Sequence, residues 1–137
     1  LAPLAKLYEM WIYLIHNSFI PASCEIGEGT SFGYKGIGVV VHSRARIGKN
    51  CLIAQNVTIG GRSGHEEVPI IGDNCYIGAG AKVLGPITLG DNVIIGANAV
   101  MICDAPSNSI WGGVPARLLK GGEGEQDRAL EAAESRA

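Results

Sequence analysis

The stretch that decides the fold is Ile71–Met101, IGDNCYIGAGAKVLGPITLGDNVIIGANAVM. Large apolar residues stand at Ile71, Ile77, Val83, Leu89, Ile95 and Met101, six apart each time, and Gly follows four of the first five. Four positions after each of those five comes a small or β-branched residue: Cys75, Ala81, Ile87, Val93 and Ala99. A strand alternates with period two and a helix repeats every 3.6 residues, so neither sustains an unbroken six. A chain that turns a corner every six residues does, and three corners close a triangular coil. Coils of this kind stack about 4.8 Å apart with strand-like pairing. The large residue of each repeat then always points inward, and the Gly after it eases the bend. A fixed period of this kind marks a solenoid, here a hexapeptide β-helix.

The phase extends upstream. Ile20, Ile26 and Phe32 are six apart, as are Val41, Ile47, Ile53 and Ile59. Phe32 to Val41 spans nine, so three extra residues bulge near Tyr34-Lys35-Gly36. Ile59 to Ile71 spans twelve, and the intervening Gly60–Glu67 lacks the pattern, which predicts a loop ejected from the coil. Interruptions to a solenoid's repeat tend to map to its functional face.

The remaining sequence sets boundaries. A chain of 137 residues with 47% hydrophobic residues and 20 glycines fits one packed, turn-rich β domain and excludes disorder. The net charge of −2 and scattered basic residues argue against nucleic acid. Cys24, Cys51, Cys75 and Cys103 lie on or near inward repeat positions and read as small buried thiols, with no CxxC pair for redox or zinc chemistry. No secretory signal is visible, so a cytoplasmic location is expected. Residues 3–19 place Leu4, Leu7, Tyr8, Trp11, Ile12, Ile15 and Phe19 at helical spacing, ended by Pro21. This segment is too short and too charged to span a membrane; capping the first coil or packing between subunits suits it better than a membrane surface. The expected organisation is a helix over 1–20, a solenoid over 21–117 and a tail over 118–137. Pro106, Gly112-Gly113 and Pro115 turn the chain outward, Gly121–Gly124 forms a hinge, and a polar helix follows.

Three histidines bound the acid–base chemistry. His16 belongs to the N-terminal helix. His42 follows inward Val41, where other repeats place Gly, and sits just past the bulge. His65 lies in the ejected loop among Arg62, Glu66 and Glu67. An O-acyl transfer needs a base for the acceptor hydroxyl and donors for the oxyanion, and His suits the base. A zinc site built on His42 and His65 lacks a third histidine on the coils, so no metal is expected.

Three strings carry a family resemblance: Gln55–Gly61 (QNVTIGG), Ile77–Gly85 (IGAGAKVLG) and Gly113–Arg117 (GVPAR). With these in order, the chain resembles the left-handed β-helix, hexapeptide-repeat acyltransferases, most closely the serine O-acetyltransferase branch and related sugar acetyltransferases. The resemblance implies a homotrimer with sites between subunits, acetyl-CoA as co-substrate, and direct acetyl transfer to a small acceptor hydroxyl. It implies that Gly78, Ala79 and Gly80 leave room for the pantetheine arm and that Ala97 and Asn98 continue the groove. Ala116, Arg117 and Lys120 would meet the nucleotide end, where cationic side chains suit phosphates. Serine acetyltransferases carry an Asp-His pair before the strand corresponding to Gly38–Val41, and here Tyr34-Lys35 occupy it. They carry Arg-His-Pro in the loop, and here Glu67-Val68 precede Pro69. His42 and His65 are therefore the candidate bases, with His42 favoured, and Tyr34, Lys35 and Arg62 the candidate acceptor contacts. A different alcohol such as a sugar, or a non-catalytic trimeric scaffold, are the alternatives. The absence of the long helical domain, and of a terminal Ile, argues against a complex with the cysteine-pathway synthase.

Overall fold

The computed structural model describes residues 2–121. One helix, α1 (Ala2–His16), precedes a parallel β-helix of about four coils. The first coil holds β1 (Glu25–Ile26), β2 (Ser31–Phe32) and β3 (Val40–Val41). The second holds β4 (Arg46–Ile47), β5 (Leu52–Ile53) and β6 (Thr58–Gly60). The third holds β7 (Ile70–Ile71), β8 (Tyr76–Ile77) and β9 (Lys82–Leu84). The fourth holds β10 (Thr88–Leu89), β11 (Ile94–Ile95) and β12 (Val100–Met101), and β13 (Ser109–Gly112) and β14 (Arg117–Gly121) follow. Strands at the same place in successive coils pair in register, giving three sheets: β1-β4-β7-β10, β2-β5-β8-β11-β13-β14 and β3-β6-β9-β12.

The six-residue rhythm is the core. Val41, Ile47, Ile53, Ile59, Ile71, Ile77, Val83, Leu89, Ile95 and Met101 are all buried. The second inward series, Cys51, Cys75, Ala81, Ile87, Val93 and Ala99, fills the corners between them. Asparagine makes many of the bends: Asn50, Asn56, Asn74, Asn92, Asn98 and Asn108 all have φ between 54° and 62°. Asn tolerates this left-handed conformation better than other residues with a Cβ.

Several expectations are corrected. The helix ends at His16, where Asn17 turns left-handed (φ 52°), well before Pro21, and Phe19 already bridges to Val40. Only Ile12 of its apolar residues is buried. Ile20, Ile26 and Phe32 are half-buried, because no further coil stacks beneath the first. Beyond Met101 the rhythm shortens: Ala105 takes the inward place beside Leu89, four residues on, and Cys103 is exposed rather than inward. Gly112–Pro115 folds the chain back rather than outward, so that β14 runs antiparallel on β13. The boundary expected at 117/118 therefore falls inside a strand. The expected polar helix and most of the expected hinge lie outside the described residues.

Candidate functional site

Two edges of the triangular prism flank the sheet β3-β6-β9-β12, and the candidate residues divide between them. Tyr34-Lys35, Gly78–Gly80 and Ala97-Asn98 lie on the edge leading into this sheet, just before β3, β9 and β12. His42 and the ejected loop, with Arg62 and His65, lie on the edge leaving it, just after β3 and β6.

On the leaving edge, one arginine ties the candidates together. The Arg44 backbone N–H donates to His42 Nδ1 at 3.1 Å, and the Arg44 guanidinium donates to the Glu66 carbonyl at 2.7 Å. The corner after His42 is thus clamped to the loop residue next to His65. The loop's own turn closes by the His65 N–H to Arg62 carbonyl bond at 3.0 Å. Arg62 packs its aliphatic stem over Gly85, where an added Cβ would stand 3.0 Å from Arg62 Cβ. Half-buried His42 borders a cleft of about 410 Å³ with Lys6, Glu9, Phe19, Ser23 and Gly60 on its walls. Arg44 was not singled out in the sequence; a cation at a corner two residues past a histidine was the available signal.

The geometry of His42 bears on its role. With Nδ1 accepting from a backbone N–H, the neutral ring carries its proton on Nε2. Nε2 is then a hydrogen-bond donor, and His42 serves as a base at that atom only by giving up the Arg44 amide.

On the entering edge, the glycines answer first to the stacking of coils. A Cβ on Gly78 would lie 2.7 Å from Ala97 N and 2.8 Å from Ile95 O. Gly80 has φ +73°, and a Cβ there would collide with Asn98 Oδ1. The Gly78 and Gly80 N–H groups already donate to Ile95 and Gln55 carbonyls. A ligand along this ledge meets a smooth surface whose carbonyl oxygens keep second lone pairs, rather than those two donors. Tyr34 and Lys35 both adopt left-handed backbone (φ 50° and 59°) in a 3-10 turn, and Tyr34 is exposed. Lys35 lines a different cavity, beneath the first coil. Ala116 is a core residue whose N–H bonds the Val100 carbonyl. Arg117 and Lys120 are exposed on β14. Among the described residues no three His, Cys, Asp or Glu side chains converge as a metal site requires, and no helix is long and apolar enough to cross a membrane.

Comparison with known proteins agrees with this architecture. Residues 69–103 match the model of the bacterial transferase hexapeptide (six repeats). A serine acetyltransferase of Synechococcus elongatus is 40% identical over 113 residues, covering 77% of this chain and 46% of that protein. The structure of soybean serine acetyltransferase complexed with serine superposes with a TM-score of 0.77 at 38% identity, covering 85% of this chain and 48% of that one. A serine acetyltransferase complex with CoA gives a TM-score of 0.75 at 34% identity, covering 85% and 47%. The chain thus spans about half the length of the relatives it matches.

Proposed function

Since the chain belongs to the hexapeptide-repeat acyltransferases, on their serine O-acetyltransferase branch and with their left-handed β-helix, we propose that it transfers acetyl from acetyl-CoA directly to the hydroxyl of a small acceptor, serine-like or a sugar. The observation that carries this reading is the Arg44 clamp, which holds His42 and the His65 loop as one unit beside a cleft. In this reading the pantetheine arm lies along Gly78–Gly80 and Ala97-Asn98, with Arg117 and Lys120 toward the phosphates. His65 takes the acceptor's proton as the acceptor oxygen bonds the thioester carbon, His42 donates Nε2–H to the oxygen that gains charge there, and the C–S bond then breaks with the CoA sulfur leaving as the thiol on taking the proton from His65. Arg62 of one copy and Tyr34 of the next contact the acceptor, whereas the Lys35 contact expected from sequence is not part of this reading, since Lys35 lines the cavity beneath the first coil.

The ledge and the histidines occupy opposite edges of one sheet. The site is therefore completed in a homotrimer, where the ledge of one copy faces the loop edge of the next. The reading includes a cytoplasmic location, which suits four free cysteines.

The test is CoA release from acetyl-CoA with a panel of serine, homoserine, amino and deoxy sugars and nucleotide sugars. Release that depends on one acceptor is expected. Bound CoA with no acceptor-dependent release across the panel would leave the non-catalytic scaffold standing instead.

A further inference from the structure

The inward positions of the first coil are Ile20, Ile26 and Phe32, and all three are half-buried. Among the described residues no coil stacks beneath them, and α1 lies against that end instead. Its one buried side chain is Ile12. A helix seated by a single side chain does not cover a triangular end as a coil does. A cavity of about 320 Å³ remains, with Tyr8 and Ile12 on one wall and Ile20, Ile26 and Phe32 on the other. Lys35 is the one charged side chain that lines it, and it forms no ion pair among the described residues. Its backbone is unusual. Among the described residues every other non-glycine residue with positive φ is an asparagine, yet Tyr34 and Lys35 hold φ 50° and 59° in succession. That conformation is costly for residues with a Cβ, and strain of this kind gathers at ligand clamps. A mostly apolar cavity of this size with a few placed polar groups is the usual form of a small-molecule site.

We propose that this cavity binds a small carboxylate with an apolar body, of the medium-chain or aryl class. The body lies against Ile20, Ile26 and Phe32, and the carboxylate meets Lys35 Nζ. The walls select this chemistry. An apolar body takes from water the surface that the first coil leaves uncovered. A lysine with no counter-charge selects an anion, and its hydrogen bond to a carboxylate is charge-assisted. The Tyr8 hydroxyl is a second donor on the same wall. No Asp or Glu lines the cavity, so a cationic ligand finds no partner there. Neither candidate base and none of the ledge glycines lines it, so binding here is independent of the proposed transfer chemistry.

Titration calorimetry on the full chain tests it, with octanoate as the probe and octanol and octylamine beside it. Octanoate is expected to bind one per chain. The alcohol and the amine are expected to bind at least about 10-fold more weakly, the worth of one charge-assisted hydrogen bond. Lys35→Arg is expected to keep octanoate binding. Lys35→Gly is expected to lose about 10-fold or more while melting no lower than the wild type, since glycine holds the left-handed angle without strain. Equal affinity for the three probes overturns the proposal, as does unchanged octanoate binding in Lys35→Gly or no saturable binding of octanoate at all. Half-buried Cys24 also lines the cavity and reports where the probe sits. In a Cys103→Ser background, saturating octanoate is expected to slow the reaction of Cys24 with a disulfide reagent several-fold. Unchanged labelling at saturation places the probe elsewhere and overturns the assignment.

Discussion

At the residue scale, the hydrogen bond on His42 separates two roles that sequence alone leaves together. A donor role is partly met by Gln, whose amide N–H reaches a similar point while its oxygen accepts from Arg44, whereas no amide acts as a base. His42→Gln is therefore expected to keep turnover within about 10-fold of wild type, and His42→Ala to lose on the order of 10². His65→Ala is expected to lose 10² to 10⁴ with acetyl-CoA binding unchanged. Gln and Ala at position 42 failing equally in the CoA-release assay would return the base to His42. The thiols make a separate prediction. Burial pushes the Cys75 thiol up to about 11 from 9.0, with the neighbouring Cys51 and Asp91 adding to it, and burial followed by Glu9 raises Cys24. Exposed Cys103 should react with a disulfide reagent well before the other three, and all four should react in guanidinium. A raised thiol pKa favours the fold while the unfolded thiol is still protonated. Stability should thus hold up to about pH 9 and fall toward pH 11, by on the order of 2 kcal/mol for Cys75. Urea midpoints at pH 8 and pH 10.5 check this.

At the scale of the element, a strand of two or three residues has almost no stability of its own. What holds each one is the corner before it and the coil on either side. The corners rely on asparagine: Asn74, for example, sits at φ 55° and donates its N–H to the Lys49 carbonyl one coil back. An alanine there must hold the left-handed conformation at a cost of about 1–2 kcal/mol, which glycine avoids. Asn74→Ala is expected to lower the Tm by several degrees and Asn74→Gly to leave it nearly unchanged, as thermal melts would show. Equal melting of the two would mean that the side chain, not the backbone angle, is what the corner needs. The same edge repeats the device in side chains, with Asp73 Oδ1 accepting the Lys49 N–H at 2.8 Å and Asp91 Oδ1 accepting the Asp73 N–H at 2.7 Å.

At the scale of the whole molecule, what was legible in the sequence is what repeats. The inward series from Val41 to Met101 could be read because one physical requirement, a large side chain inside every face, recurs unchanged down the chain. The ends were harder. Trp111 and Ala105 continue the core after a four-residue step that no period announces, and α1 carries an apolar rhythm that reads as a coil-facing stripe although most of it points away. The candidate site was legible as an interruption, while the Arg44 clamp and the His42 hydrogen bond were not, since both depend on where backbone groups of separate coils come to rest. The interruption itself gives the molecule-scale prediction. Ile59 to Ile71 covers two periods, and Pro69 is buried at the corner position that Ala45 and Ile87 fill in neighbouring coils. Excising the six residues Arg62–Glu67 brings Ile59 and Ile71 back to six apart, so the shortened chain should close an ordinary coil. Among the described residues, the one hydrogen bond from the rest of the chain to this segment is that of exposed Arg44 to Glu66, worth about 1 kcal/mol or less. The excised protein is therefore expected to melt within a few degrees of the wild type and to show the same far-ultraviolet circular dichroism. Acceptor-dependent CoA release should vanish, because His65 and Arg62 leave with the loop. A shortened chain that fails to fold would make the loop part of the scaffold, and one that folds with full activity would move the chemistry elsewhere on the prism.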